Sequence, residues 1–164
     1  MTVVVPAAPA SRWLYAMTAR NLELEILPGM LDERDARLVV DLLAAERITM
    51  LQLSHAAYRA LGEAAGMDWW VALRLAGAAN HTDGNVLGEL TLRGVDPCAM
   101  PLARWCAAVY ALVVRNLDDT ELMKTKARLF LVPDLPGLEI EDAGMDEAQV
   151  VAMLAAMPGV SLGG

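Results

Sequence analysis

Lysine and cysteine each occur twice in this 164-residue chain, and phenylalanine once. Each scarcity excludes something. Two cysteines cannot make a disulfide framework in a chain of this length. Cys98 and Cys106 stand eight apart, which is not a metal-ligand spacing, and His55 and His81 do not complete one. Cys106 falls within an apolar helical run and reads as a small reduced core residue. The 13 basic residues are scattered among 21 acidic ones with no basic run, for a net charge of −8. Nucleic acid and anionic membranes are bound largely through clustered Lys and Arg, so neither is an expected partner. The longest uninterrupted apolar run, residues 105–114 between Arg104 and Arg115, is half of what a bilayer span needs. The first residues lack a basic leader followed by an apolar stretch, which leads to the expectation of a cytoplasmic protein.

Catalytic signatures are lacking too. There is no nucleophile elbow, no phosphate-cradling Gly-Lys-Ser loop and no Gly-x-Gly-x-x-Gly. Asp83-Gly84-Asn85 lacks the spaced carboxylates and distal Glu of a calcium loop. Ser54 and His55 would need a remote acid to act as nucleophile and base, and a lone His on an apolar helix face is more often a core residue. Most carboxylates fall in helix first turns, where capping already accounts for them. No catalytic residue, cofactor or metal is assigned.

What remains is a helix-forming alphabet. Apolar residues make up 56% of the chain, mostly Ala, Leu, Val and Met. The predicted fold is all-α or nearly so, a compact bundle of about five to six short helices, with one short N-terminal β-hairpin or strand pair. Residues 1–20 read as an N-terminal arm, residues 21–132 as the helical core, residues 133–145 as a Pro/Gly-broken acidic linker and residues 146–164 as a tail. The alternation of apolar residues with Glu23 and Glu25 over 22–26 has the period of a strand, for which residues 2–5 are the available partner. Pro28-Gly29 then reads as a turn.

Further along, Asp32 starts a helix with the stripe Leu38, Val39, Leu42 and Leu43. Thr49 and Gln52 form a capping box for the next, whose buried face is expected at Leu51, Ser54 or His55, Tyr58, Leu61 and Ala65, with Gly66 beyond its end. Asp68 caps a helix carrying Trp69 and Trp70. A turn at 81–85 leads to a short helix stopping at Gly94. Pro101 opens a helix with the stripe Leu102, Trp105, Cys106, Val109, Leu112 and Val113, and Asp118 or Asp119 starts the last core helix. In the tail, Val150, Met153, Leu154 and Met157 line one side of a short helix begun at Asp146. Such a helix is unstable alone and must lie against its own domain or a partner.

Residues 49–75 have the outline of a helix-turn-helix, yet the second helix offers Trp69, Trp70 and Val71 where base-reading side chains belong, with Arg74 alone in support. Paired Trp suit core packing or a protein contact better. Ten methionines, three of them (Met145, Met153, Met157) in the last 20 residues, suit an adaptable apolar surface as well as core filler.

Three segments together resemble small proteins of the virion-structure gene clusters of phages that infect actinobacteria, among them tail assembly chaperones. They are Asp-Trp-Trp-Val-Ala-Leu-Arg-Leu at 68–75, Leu-Thr-Leu-Arg-Gly-Val-Asp at 90–96 and Leu-Ala-Arg-Trp-Cys-Ala-Ala-Val-Tyr-Ala-Leu at 102–112. The likeness covers residues 68–132 and carries a packing pattern, not a site. It implies a non-enzymatic role in the host cytoplasm, binding the tape-measure protein or another virion protein during tail assembly. Trp69, Trp70, Val150, Met153, Leu154 and Met157 are the candidate protein-binding residues, and such a surface also suits self-association. The alternatives are a virion structural part such as a head–tail connector, and a helix-turn-helix DNA-binding regulator.

Overall fold

A computed structural model describes residues 8–19, 22–81 and 85–134. Eight helices lie among them: α1 (Ala10–Thr18), α2 (Leu22–Met30), α3 (Glu33–Ala44), α4 (Met50–Ala65), α5 (Trp69–His81), α6 (Asn85–Leu92), α7 (Leu102–Val114) and α8 (Asp119–Phe130). The all-α expectation holds. The expected linker beyond residue 134, the tail, the strand partner at 2–5 and the middle of the 81–85 turn lie outside the described residues.

Two N-terminal assignments are corrected. Residues 10–18 are not an arm. They form α1, and Ala10, Trp13 and Ala16, three apart, are buried together in the core. Pro9 stands at the N-cap, where a missing N–H costs nothing, and marks the helix start. The first free N–H groups of α1 are paired from outside: Ala10 N donates to the Met100 carbonyl (2.8 Å) and Ser11 N to that of Cys98 (3.3 Å).

The expected strand at 22–26 is the first half of α2, which runs on through Pro28 and Gly29 to Met30. Leu22, Ile26 and Met30 are buried, a four-residue spacing that gives one helical stripe. Leu22 and Ile26 fit both a period of 2 and one of 3.6. Packing against α1, α3 and α4 selects the helix.

α5 is the central helix, touching α1, α4, α6, α7 and α8. Residues 70, 71, 72, 75, 76 and 79 are buried, and none of residues 69–79 is exposed. A helix apolar all round is a core helix. α7 lies against α5 and α4 through Leu102, Trp105, Cys106 and Val109. Buried Trp70 and Trp105 present no hydrogen-bonded indole N–H, so both rings serve the core through volume.

The local start and stop signals act as expected. Asp32 accepts from Asp35 N (2.8 Å), Asp118 from Glu121 N (2.8 Å), and Thr49 with Gln52 forms both bonds of the capping box. Gly66 ends α4 in the left-handed region at φ 65. The same job at the end of α3 falls to Glu46, at φ 55. Glu46 N donates to the Leu43 carbonyl (3.0 Å) and Arg47 N to that of Leu42 (2.8 Å), the paired bonds of a Schellman cap. A residue with a Cβ is strained in that conformation by about 1 kcal/mol. Glu46→Gly is therefore expected to stabilise the domain by about 1 kcal/mol, read as a shift in urea midpoint at constant slope. A destabilised variant would show that the Glu46 side chain has an energetic role of its own.

Candidate protein-binding surface

The α4–α5 corner brings Trp69 onto Tyr58. Their rings stack with centroids 4.1 Å apart at 27°, and Trp69 meets Trp70 edge-on at 5.5 Å. Gly62 makes the corner tight, because a Cβ there would stand 3.2 Å from the Met67 carbonyl oxygen. Burial, and then the charge of Glu23 on α2, raises the Tyr58 pKa. Burial alone raises that of Asp68.

The two tryptophans differ in what they offer. Trp70 is 3% exposed and belongs to the core cluster, so it presents no surface to a partner. This corrects its assignment as a protein-binding residue: at the second position of α5 it turns inward. Trp69 is half-buried beneath one face of Tyr58. Val150, Met153, Leu154 and Met157 lie outside the described residues.

Large apolar side chains are exposed elsewhere: Leu38 and Val40 on α3, Met50 and Leu51 at the start of α4, and Tyr15, Leu24, Leu92 and Val95 on other parts of the fold. At about 100° per residue, the apolar positions of α3 from Leu38 through Val39 to Val40 sweep roughly 200° of its circumference. α3 packs principally on α2, and only Val39, in the middle of that arc, is buried. Its flanks stay in solvent, Leu38 43% and Val40 54% exposed. The Schellman cap turns the chain back on the last turn of α3, and α4 begins there with Met50 (46%) and Leu51 (47%) exposed.

The expected inward faces of both helices hold at Val39, Leu61 and Ala65, which are buried, and are corrected elsewhere. Leu38 is exposed, and α4 buries Leu53, Ala57, Ala60, Leu61 and Ala65, leaving Leu51 and His55 outside. The core side of α4 is the one with alanines, because α2 and α5 approach it closely. The signal present in the sequence was the width of the α3 arc, broader than one neighbouring helix covers.

Ser54 Oγ donates to the Met50 carbonyl (3.0 Å), so its hydroxyl is spent on its own helix, one residue from an exposed His55. Among the described residues no polar or charged side chain is buried, and no group of His, Cys, Asp or Glu is placed to hold a metal. Within the same residues no helix is long and apolar enough to cross a membrane. Arg74, the one base-reading candidate of residues 49–75, is turned onto the end of α8, where its Nη1 donates to the carbonyls of Arg128 (2.8 Å) and Leu129 (2.9 Å). A recognition helix must stand clear of its domain to enter a groove, and no residue of α5 from 69 to 79 is exposed.

Arg93 and Arg115 both reach Glu89, joining α6 to the end of α7. The hydrogen bond from Arg93 leads the effects that hold the Glu89 carboxyl below its usual pKa. Burial pushes the Cys106 thiol up to about 12, while Cys98 is exposed. A thiol reagent at pH 8 should therefore titrate one thiol at once and the second only as the domain unfolds. Two equally fast thiols would show that α7 does not seal Cys106.

No protein-family model, no curated protein and no solved structure matches this chain.

Proposed function

We propose that the chain is a non-enzymatic, protein-binding domain that acts as a tail assembly chaperone, holding the tape-measure protein before the tail tube forms around it. The observation that carries this reading is the exposure of four large apolar side chains, Leu38 and Val40 on α3 and Met50 and Leu51 at the start of α4. Exposed apolar surface rimmed by charge suits a protein contact. A long helical client with an apolar stripe would bury such side chains on binding. Trp69 and the tail residues Val150, Met153, Leu154 and Met157 extend the same surface chemistry, with Met adapting to an irregular client. The net charge of −8 keeps such a protein soluble.

Co-expression with the large tape-measure protein of the same gene cluster, followed by pull-down, tests the reading. The wild type is expected to recover the client. Leu38→Glu/Leu51→Glu and Trp69→Ala/Met153→Ala/Met157→Ala should each recover about tenfold less, equivalent to about 1.4 kcal/mol of binding. Equal recovery by wild type and both variants would overturn it. Mass spectrometry of purified virions separates a chaperone, absent from the particle, from a structural connector, present in it.

A further inference from the structure

We propose that Arg34, Leu38 and Asp41, on the outer side of α3, form a self-complementary stripe through which two copies of the chain pair, α3 against α3, antiparallel about a two-fold axis. The pairing goes beyond the proposed function and does not depend on it.

Helix geometry places the three residues together. At about 100° per residue, positions 34, 38 and 41 fall within about 60° of one another, and their centre stands about 130° round the helix from buried Val39. All three are exposed, and α3 packs principally on α2, so this side of it is open among the described residues. The two charges have no use within that part of the chain. Arg37 is paired with Glu33 at 2.6 Å, whereas neither Arg34 nor Asp41 has an ion-pair partner among the described residues.

Turned end for end, the stripe becomes its own complement. The midpoint between positions 34 and 41 falls half a residue, about 0.75 Å along the axis, from Leu38. A second α3 reversed about that point sets the two Leu38 side chains against each other. It also places each Arg34 level with the Asp41 of the other copy. That is the isologous contact of a two-fold dimer, an apolar centre flanked by two opposite-charge pairs. A parallel pairing would set Arg34 on Arg34 and Asp41 on Asp41, so charge fixes the direction. The two Arg37 side chains come to one side of the contact, where each is already neutralised by its own Glu33. A helix of 12 residues is only about 18 Å long, so the contact is small and the dimer weak.

Sedimentation velocity of the purified full-length chain, from about 10 µM to about 1 mM, tests the pairing. Physiological salt screens the net charge of −8 on each copy beyond about 8 Å. The wild type is expected to pass from monomer towards dimer across that range. Arg34→Asp and Asp41→Arg should each weaken dimerisation by about tenfold or more, because each puts two like-charge pairs where two opposite ones stood. Mixed in equal amounts, the two variants should pair with each other as strongly as the wild type pairs with itself. A chain carrying both changes should likewise dimerise alone. Both positions are exposed and both changes agree with the α3 dipole, so circular dichroism should show an unaltered fold. A wild type that stays monomeric throughout overturns the inference and leaves this side of α3 to a different partner. Dimerisation that survives Arg34→Asp overturns it too, as does a mixture no more associated than either variant alone. No client is present, so failure here leaves the pull-down result standing.

Discussion

Trp13→Ala is expected to lower the stability of the domain by about 3–5 kcal/mol, the range for removing a large buried aromatic. Trp13 is 1% exposed and lies among the largest fully buried side chains. It holds α1 against α2, α5 and α7, so its loss opens a void beneath several helices at once. A domain of this size has a total stability of about 5–15 kcal/mol, so the variant should melt at a much lower urea concentration and be partly unfolded at 37 °C. Tyr15→Ala, two residues on but on the solvent side of the same helix, is the internal control and should change stability by no more than about 0.5 kcal/mol. Urea denaturation followed by circular dichroism measures both. If Trp13→Ala were as silent as Tyr15→Ala, residues 10–18 would be an appendage and not part of the core.

Arg74→Met should cost about 2–3 kcal/mol, the value of charge-assisted hydrogen bonds lost together with partners left unpaired. The last carbonyls of a helix have no partner within it, and they carry the negative end of its dipole. At the end of α8 these are the carbonyls of Arg128, Leu129 and Leu131, and the Arg74 Nη1 donates to all three. Burial lowers the pKa of Arg74, a sign that holding the cation there has a cost which these bonds offset. Met keeps an unbranched apolar stem at this position and removes the charged fork. Arg74→Lys should recover part of the loss, since an ammonium reaches fewer carbonyls. In hydrogen exchange the Met variant should show the last turn of α8 opening while α5 stays protected. An unchanged urea midpoint would mean that the end of α8 is satisfied by water equally well.

Much of the helical content was legible because it is governed by residues close together in sequence. Asp32, Thr49 with Gln52, Gly66 and Asp118 each act on a backbone group within four residues, and each performs the expected task. The stripe of α7 was legible for a related reason: Leu102, Trp105, Cys106 and Val109 recur at helical spacing, and they are the buried residues of that helix. Faces made of alanine were not legible. α4 turns Ala57 and Ala60 inward and Leu51 outward, the reverse of a ranking by hydrophobicity. Ala lets two helices approach closely, and that advantage appears only once the neighbours are in place. The candidate surface followed the same division. Trp69 and Trp70 stood out by type, yet which of them is sealed depends on the direction of α5 through the core. Leu38 and Leu51 read as core until the positions of α2 and α5 left them uncovered.

By itself the sequence determined an α-helical domain with defined helix starts and stops, an acidic exterior and no assembled reactive motif. These follow from propensity, capping and charge, which act locally or as sums over the chain. Tertiary structure decided that residues 10–18 belong to the core, that residues 22–26 are helical, that α5 is central and that Leu38 and Leu51 stay exposed. Each of these depends on which surfaces meet across long stretches of chain, and apolar attraction has no direction that a single strand of residues can specify in advance.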